Sequence, residues 1–206
     1  MKYKFYCNEK FVINLKHLGE VSLKLKDTSF INDSFRYLTF LYFIKNSGIL
    51  VHSSCLKNNK NSIIFPAEPH SGKSTIVNLL DGISNFKMLH DDLTCVYFEG
   101  NNKIPFVQPF PFLTPDKISP YCNKKFPLKA IFFLNGKGRN RIKKISKMEA
   151  LKRLIANANI YNVDQRIAQS ILDTSSRIVE IVPCYTLSFK KDPSIANLIL
   201  KTLDEI

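Results

Sequence analysis

A glycine, a lysine and two hydroxyl residues follow a short apolar stretch in an order typical of phosphate-binding loops. Residues 62–65 include the apolar run Ile-Ile-Phe, residues 72–75 are Gly-Lys-Ser-Thr, and an apolar helical pattern begins at 76. In a loop of the G-x-x-x-x-G-K-[ST] type, backbone N–H groups at a helix start hold phosphate oxygens, the lysine reaches the β- and γ-phosphates, and the hydroxyl ligates Mg²⁺. The pattern predicts these two roles for Lys73 and Ser74.

The loop departs from that motif at its beginning and in its interior. Ala67 stands where the motif has its first glycine, and Pro69 and His70 follow inside the loop. If Ala67 adopts φ > 0, the strain costs roughly 1–2 kcal/mol. The residues predicted to contact a bound nucleotide are Ala67, Glu68, Pro69, His70, Ser71, Gly72, Lys73, Ser74 and Thr75.

Two adjacent carboxylates, Asp91 and Asp92, follow the short apolar run 86–89. At this distance from Lys73 along the chain, the end of a second strand would lie beside the phosphate loop. One carboxylate could then hold Mg²⁺, directly or through water, while the other accepts the proton of an attacking hydroxyl. The alternative is that the pair only caps a turn between two strands.

Three further side chains could serve the same chemistry. His52 lies on a predicted strand, and Arg139 and Arg141 lie in a basic loop predicted at 135–144. An arginine from such a loop could bring positive charge to a transferring phosphoryl group. Each residue also has a structural interpretation, as a hydrogen-bonded strand histidine or as a solvated surface arginine.

Strand and helix patterns alternate along the chain, which predicts an α/β fold. The predicted strands are 11–13, 21–25, 49–56, 62–65, 86–89, 93–98, 130–134 and 184–189. The predicted helices are 32–46, 73–80, 146–158, 163–172 or beyond, and 194–203, with a Ser146/Glu149 capping box opening the third. Residues 101–127, rich in Pro, Phe and Lys, are expected to follow the surface with little regular structure.

Without a visible linker, the chain is predicted to form one domain over 1–206. Residues 1–47 would supply an N-terminal strand and helix part, and 48–206 the nucleotide-binding and catalytic core. The formal charge of +13 favours acidic partners, among them phosphates, nucleic acid, a membrane surface or an acidic substrate. Nucleic acid is not expected, because no RRM-like, KH-like or finger pattern is present.

Cysteine usage and hydropathy favour a cytoplasmic protein. The five cysteines form no C-x-x-C pair, so reduced, mostly structural thiols are expected. The longest apolar runs fall far short of the roughly 20 residues that cross a bilayer. The first ten residues lack the apolar core of a secretory signal.

Together, these residues resemble the catalytic domain of HPr kinase/phosphorylase. In that family a histidine opening a strand, a G-x-x-G-x-G-K-S loop and an Asp-Asp pair follow one another. His52, residues 67–74 and the pair Asp91-Asp92 stand in this order here.

The chain looks even more like the shorter HPr-kinase-related proteins, some of which are encoded with peptide-modifying enzymes. The matching segments are Val-His-Ser-Ser at 51–54, Phe-Phe-Leu-Asn at 132–135 and Glu-Ala-Leu-Lys-Arg-Leu at 149–154. The resemblance covers roughly 48–189.

The resemblance implies a fold shared with phosphoenolpyruvate carboxykinase, in which a mixed sheet with flanking helices holds the P-loop. It implies phosphorylation of a serine hydroxyl, with ATP or another nucleoside triphosphate as donor and with Mg²⁺. By the family's pattern Asp91 would be the general base, oriented by His52, and Asp92 would lie nearer the metal. The catalytic candidates are thus Asp91, His52, Lys73, Arg139 and Arg141, and the metal candidates are Ser74 and Asp92.

The resemblance also leaves the acceptor open. His70 replaces a family glycine, and neither the family's C-terminal signature nor its separate N-terminal domain is found, so HPr itself is not the expected acceptor. A peptide or small protein is expected instead, including a ribosomally made precursor peptide. HPr kinases are hexameric, which makes a homo-oligomer possible here. The alternatives are a nucleotide-binding regulatory or adaptor protein with a degenerate P-loop, and a phosphorylase- or carboxykinase-like enzyme.

Overall fold

The computed structural model describes residues 10–15, 19–24, 28–110, 112–114, 117–118, 124–161 and 164–206. Side chains are described over 36–110, 124–136, 138–161 and 164–206. Cys7, Cys122 and the predicted helix start at 163 lie outside the described residues. The chain divides into two compact units, Met1–Tyr42 and Phe43–Ile206.

The described elements alternate between strand and helix in much the predicted order. The strands are β1 (Lys10–Leu15), β2 (Gly19–Lys24), β3 (Gly48–Asn58), β4 (Asn61–Pro66), β5 (Phe86–His90), β6 (Leu93–Tyr97), β7 (Phe106–Pro109), β8 (Phe112–Thr114), β9 (Lys117–Ile118), β10 (Phe126–Lys137), β11 (Arg141–Lys144) and β12 (Cys184–Phe189). The helices are α1 (Thr28–Lys45), α2 (Lys73–Leu80), α3 (Lys147–Ala156), α4 (Gln165–Ile181) and α5 (Ile195–Asp204).

The first unit contains a short antiparallel pair, β1 with β2, in which Phe11 faces Leu23 and Ile13 faces Val21. This pairing agrees with the apolar–polar alternation of the two segments. Helix α1 begins at Thr28, earlier than the predicted start at 32. The polar run at 32–34 therefore lies within the first helical turns and not before them.

An eight-stranded mixed sheet forms the second unit, in the order β11-β12-β10-β4-β3-β6-β7, with β5 also paired to β3. Strand β10 is parallel to β4 and to β12, whereas the other pairings of this sheet are antiparallel. The predicted mixed sheet with flanking helices is confirmed. Because β4, β10 and β12 run in one direction, their carboxyl ends lie at the same edge of the sheet.

The core beneath that edge is built from β4, β10, β12 and α2. Ile63, Ile64 and Phe65 are all buried, as expected of a central strand covered on both faces. The rings of Phe65 and Phe132 stack at a centroid distance of 5.9 Å, and Phe132 stacks on Tyr185 at 5.3 Å. Ile76, Val77 and Leu80 of α2 belong to the same buried cluster, so the core anchors both ends of the loop between β4 and α2.

The segment 101–127 is more regular than predicted. Strand β7 lies within it and pairs with β6 and with the start of β10. Pro105 precedes β7 and Pro109 ends it, so the missing proline N–H groups lie at the ends of the strand. Val107 between them is buried. The prolines that suggested irregular structure delimit a strand, because tertiary pairing outweighs their local effect.

The predicted basic loop 135–144 is also shorter than expected. Strand β10 continues to Lys137 and β11 begins at Arg141, so only 138–140 connect them. Both strands pair with β12. This pairing continues β10 beyond its apolar run as far as Lys137 and makes residues 141–144 a strand.

Of the two reciprocal hydrogen bonds of the capping box predicted at the start of α3, one forms. The Ser146 hydroxyl accepts a hydrogen bond from the Glu149 N–H at 3.2 Å. The Glu149 carboxylate does not complete the reciprocal bond but accepts one from Arg153 Nε at 2.6 Å, one helical turn later.

Three cysteines of the described residues, Cys55, Cys95 and Cys184, are free and buried. Burial raises the pKa of Cys55 and Cys95 and raises that of Cys184 to about 12. Such thiols are poor nucleophiles at neutral pH, which fits the expected structural role. Among the described helices, none is both long and apolar enough for a membrane span.

Candidate active site

The loop between β4 and α2 ends in an uncapped helix start. Gly72 is the N-cap residue, with φ of 101°, and no side chain caps the helix. The Ile76 N–H donates to the Gly72 carbonyl at 3.0 Å, so the preceding N–H groups of the first turn have no intrahelical acceptor. A helix start with free N–H groups favours binding of an anion.

Backbone strain lies at His70 and not at Ala67. His70 has φ of 62°, whereas Ala67 is not among the described residues with positive φ. Ala67 is buried directly after β4, where the chain leaves the sheet before it turns. The roughly 1–2 kcal/mol expected for a non-glycine residue in this region therefore falls on His70, the position at which the resemblance had implied glycine.

Replacing His70 with glycine is expected to stabilise the protein by up to about 1 kcal/mol. The relieved left-handed strain exceeds the entropy that glycine adds to the unfolded chain. Urea unfolding would measure the change. Asn59→Gly is the matched control, since Asn59 has φ of 54° at an exposed turn and asparagine tolerates this conformation better than histidine. A loss of stability in His70→Gly would contradict a left-handed His70.

Lys73 is buried and bonded to the beginning of its own loop. Its Nζ donates to the carbonyl oxygens of Ala67 and Glu68, both at 2.8 Å. Burial lowers the pKa of Lys73, and the negative charges of Asp92 and Asp91 oppose that change. Both carboxylates therefore act electrostatically on the Lys73 ammonium.

Strand register brings the two aspartates beside the middle of β3. His90 at the end of β5 faces Cys55, and Leu93 at the start of β6 faces His52. The two-residue connection between β5 and β6 therefore lies next to residues 53 and 54. The Ser54 hydroxyl donates to Asp91 Oδ1 at 2.7 Å, which fixes this carboxylate.

His52 contacts Asp92, not Asp91. The distance from His52 Nδ1 to Asp92 Oδ1 is 3.3 Å. The resemblance had implied that His52 orients Asp91, but the antiparallel register places Ser54 nearer Asp91 and His52 nearer Asp92. The His52 N–H also donates to the Asn157 carbonyl at 2.8 Å, which links this strand to the end of α3.

His90 supports the aspartate turn from inside the protein, a role that the sequence did not reveal. Its Nδ1 accepts hydrogen bonds from the N–H groups of Asp92 at 3.1 Å and Leu93 at 3.2 Å. The buried ring meets Phe110 edge-on at 6.3 Å. An accepting Nδ1 assigns the proton of the neutral ring to Nε2. His90 is therefore a structural residue of the site.

A cavity of about 470 Å³ lies on the other side of the loop. It is lined by Ser71, Gly72, Thr75, Gly138, Phe189, Lys190 and Lys191. The Gly138 N–H donates to the Phe189 carbonyl at 3.4 Å, and the Lys190 N–H donates to Asn140 Oδ1 at 2.8 Å. These bonds join the β10–β11 connection to the chain after β12.

Lys190 and Lys191 were not identified from the sequence. Their place directly after a predicted strand could have indicated that they lie near the loop. That inference requires knowing that β12 and β4 both run parallel to β10. Arg139 and Arg141, which were identified, are exposed and do not belong to the described lining of the cavity.

The metal candidates can supply oxygen ligands of the kind that Mg²⁺ prefers. Ser74 lies in the first turn of α2, and Asp92 lies in the connection after β5. Within the described part of the chain, no group of three or more His, Cys, Asp or Glu side chains could hold a metal ion. One hydroxyl and one carboxylate suit a Mg²⁺ ion that takes its other ligands from phosphates and water.

No protein-family model matches this sequence. No curated protein matches it either. Among solved structures, the chain is similar to the Hpr(Ser) kinase/phosphatase from Coxiella burnetii, with 11% sequence identity, a TM-score of 0.38, and coverage of 74% of this chain and 94% of that chain. This similarity is distant.

Proposed function

We propose that this protein is a kinase that transfers the γ-phosphoryl group of ATP, or of another nucleoside triphosphate, to a hydroxyl group. The acceptor is a serine of a peptide or small protein, and the reaction depends on Mg²⁺. The observation that supports this proposal most is that β3 pairs with β4 as far as Pro66, where the loop begins, and holds Asp91 through the Ser54 hydroxyl. Both carboxylates therefore lie beside the loop that ends in an uncapped helix start, whose first residue is Lys73. A phosphate-binding cation and two carboxylates within one site suit phosphoryl transfer.

The N–H groups at the start of α2 and the Lys73 ammonium would hold the donor phosphates. To reach them, Lys73 gives up one or both of its bonds to the Ala67 and Glu68 carbonyls. Ser74 and Asp92 would hold Mg²⁺, and His52 keeps the Asp92 carboxylate in place. When bound, the ion neutralises charge on the β- and γ-phosphate oxygens.

Asp91 would accept the proton of the acceptor hydroxyl. Its Oδ1 accepts the Ser54 hydroxyl bond, which leaves Oδ2 for the acceptor. The hydroxyl oxygen forms a bond to the γ-phosphorus, the bond from that phosphorus to the bridging oxygen breaks, and the diphosphate leaves. Arg139, in the β10–β11 connection, and Arg141, the first residue of β11, remain predicted contacts of the phosphoryl group. Both side chains are exposed and would have to turn towards the loop to reach it.

The test is mass spectrometry of candidate serine peptides, taken from proteins encoded beside this chain, after incubation with Mg·ATP. We expect a phosphopeptide and one ADP for each phosphoryl group transferred. Dephosphorylation of a phosphoserine peptide that consumes inorganic phosphate, releases diphosphate and returns the serine hydroxyl would point to the phosphorylase alternative. A chain that binds no Mg·ATP and modifies no peptide would contradict the proposal.

The bonds of Lys73 favour one alternative of a different class. A lysine that two backbone carbonyls already satisfy closes the loop on itself, as in a regulatory or adaptor protein with a degenerate loop. Isothermal titration with Mg·ATP separates the two functions, because only an adaptor that has lost the site would show no binding.

A further inference from the structure

The sheet order separates the two sides of the phosphate loop. Strand β4 leads into the loop, its neighbour β3 lies beside the aspartates, and β10 and β12 lie on the other side. The cavity is lined from β12 and from the β10–β11 connection, which is the side away from the aspartates. A triphosphate whose γ end faces Asp91 and Asp92 therefore directs its α end towards this cavity.

We propose that the cavity binds the nucleoside of the phosphate donor without selecting its base. This inference rests on the proposed function, since it takes the γ-phosphate to lie at the aspartates. The volume of about 470 Å³ falls in the range of roughly 300–1,000 Å³ that small-molecule sites have. A nucleoside is of suitable size for such a space.

The lining suits an anion followed by an apolar ring. Lys190 and Lys191 have no ion-pair partner among the described residues, so their ammonium groups can meet the α-phosphate and the ribose. Phe189 lies between these lysines and the loop, with its Cζ 3.3 Å from the position of a Cβ on Gly72. Its edge offers the base an apolar contact.

The same lining offers few fixed groups that could read a base. Its hydrogen-bonding side chains are the two lysines and the hydroxyls of Ser71 and Thr75, and the Ser71 hydroxyl already donates to the Glu68 carbonyl. Among the described residues, no carboxylate, side-chain amide or guanidinium lines the cavity. Two nearby backbone donors are already used, since the Gly138 N–H bonds Phe189 and the Lys190 N–H bonds Asn140. Discrimination by factors of about 10⁴ or more needs fixed hydrogen-bonding groups, whereas apolar contacts discriminate only about 10- to 200-fold.

Gly138 provides a way to close the cavity while keeping the phosphate loop. Its φ is outside the left-handed region, and a Cβ there would lie 3.9 Å from its nearest neighbour, the Ser188 Cβ. The Cβ of a leucine at this position therefore fits without a clash. The rest of its side chain is expected to fill space at the cavity wall. Gly138→Ala is the matched control, because it changes the backbone in the same way without filling the cavity.

The experiment is isothermal titration of the full chain with the Mg²⁺ complexes of ATP, GTP, CTP, UTP and inorganic tripolyphosphate. The four nucleotides are expected to bind within about tenfold of one another, and each at least about fivefold more tightly than tripolyphosphate, from the range that base stacking contributes. In Gly138→Leu the nucleotides are expected to fall to the affinity of tripolyphosphate, whose own affinity stays unchanged.

A second pair of variants tests the lysines. The double variant Lys190→Ala/Lys191→Ala is expected to weaken nucleotide binding at least about tenfold, since hydrogen bonds to charged groups are among the stronger ones. Lys143→Ala/Lys201→Ala removes the same charge from exposed positions outside the cavity lining and is expected to change affinity less than twofold.

The outcomes separate this inference from the proposed function. Tripolyphosphate that binds as tightly as the nucleotides would overturn the nucleoside site while leaving the phosphate loop in place. Preference for one base by more than about 100-fold would overturn the lack of base selection. Failure of tripolyphosphate and all nucleotides to bind would overturn both proposals together.

Discussion

Asp91→Asn is expected to lower phosphoryl transfer by about 10²–10⁴-fold while leaving nucleotide binding close to that of the unchanged protein. The factor is the usual contribution of a positioned general base. The amide retains the shape of the carboxylate and can still accept the Ser54 hydrogen bond, so the turn between β5 and β6 is preserved. Single-turnover phosphopeptide formation and isothermal titration with Mg·ATP would measure the two effects separately.

The control for this variant is Asp204→Asn, the same change at an exposed position in α5. It is expected to have no effect on transfer or binding. Transfer near the unchanged rate in Asp91→Asn would remove Asp91 from the role of base and leave Asp92 as the remaining carboxylate of the pair.

Lys73→Met is expected to weaken Mg·ATP binding by at least about tenfold and to reduce turnover as well. A charge-assisted hydrogen bond contributes about 1.5–3 kcal/mol, and Lys73 is the cation of the proposed phosphate loop. Methionine keeps most of the apolar stem that α2 buries and removes the buried charge. Titration calorimetry gives the affinity, and urea unfolding shows that the variant is folded.

Lys87→Met is the matched control. Lys87 is exposed on β5, and its replacement by methionine changes charge and volume by the same amount. Its affinity for Mg·ATP is expected to stay within twofold of the unchanged protein. An unaltered affinity in folded Lys73→Met would contradict phosphate binding by Lys73 at this loop.

Two side-chain contacts hold the aspartates in place. The Ser54 hydroxyl contacts the Asp91 carboxylate, and the His52 ring contacts the Asp92 carboxylate. Each carboxylate has its own supporting side chain from β3, at alternate positions of one strand. Alternate residues of a strand point to the same face. The proposed division of roles between base and metal ligand therefore depends on one strand and its register, and His90 holds the turn through the N–H groups of Asp92 and Leu93.

Sequence reasoning was most successful where structure depends on neighbouring residues. The strand, loop and helix around Lys73 were predicted almost to the residue, since an apolar run, a Gly-Lys-Ser-Thr stretch and a helical period are local patterns. It was less successful where distant pairing decides. Strand β7 was expected to be irregular because of Pro105 and Pro109, and β11 was taken for loop.

The sequence by itself determined the phosphate-loop pattern at Lys73, the acidic pair and the alternation of strands and helices, because hydrophobic period and turn chemistry are encoded within a few residues. Only the tertiary structure decided that His52 meets Asp92, that the left-handed strain falls on His70, and that Lys190 reaches the far side of the loop. The first and the last of these depend on strand order and register, which are set by packing between segments far apart in the chain, whereas the His70 conformation depends on the path of the loop from β4 to α2.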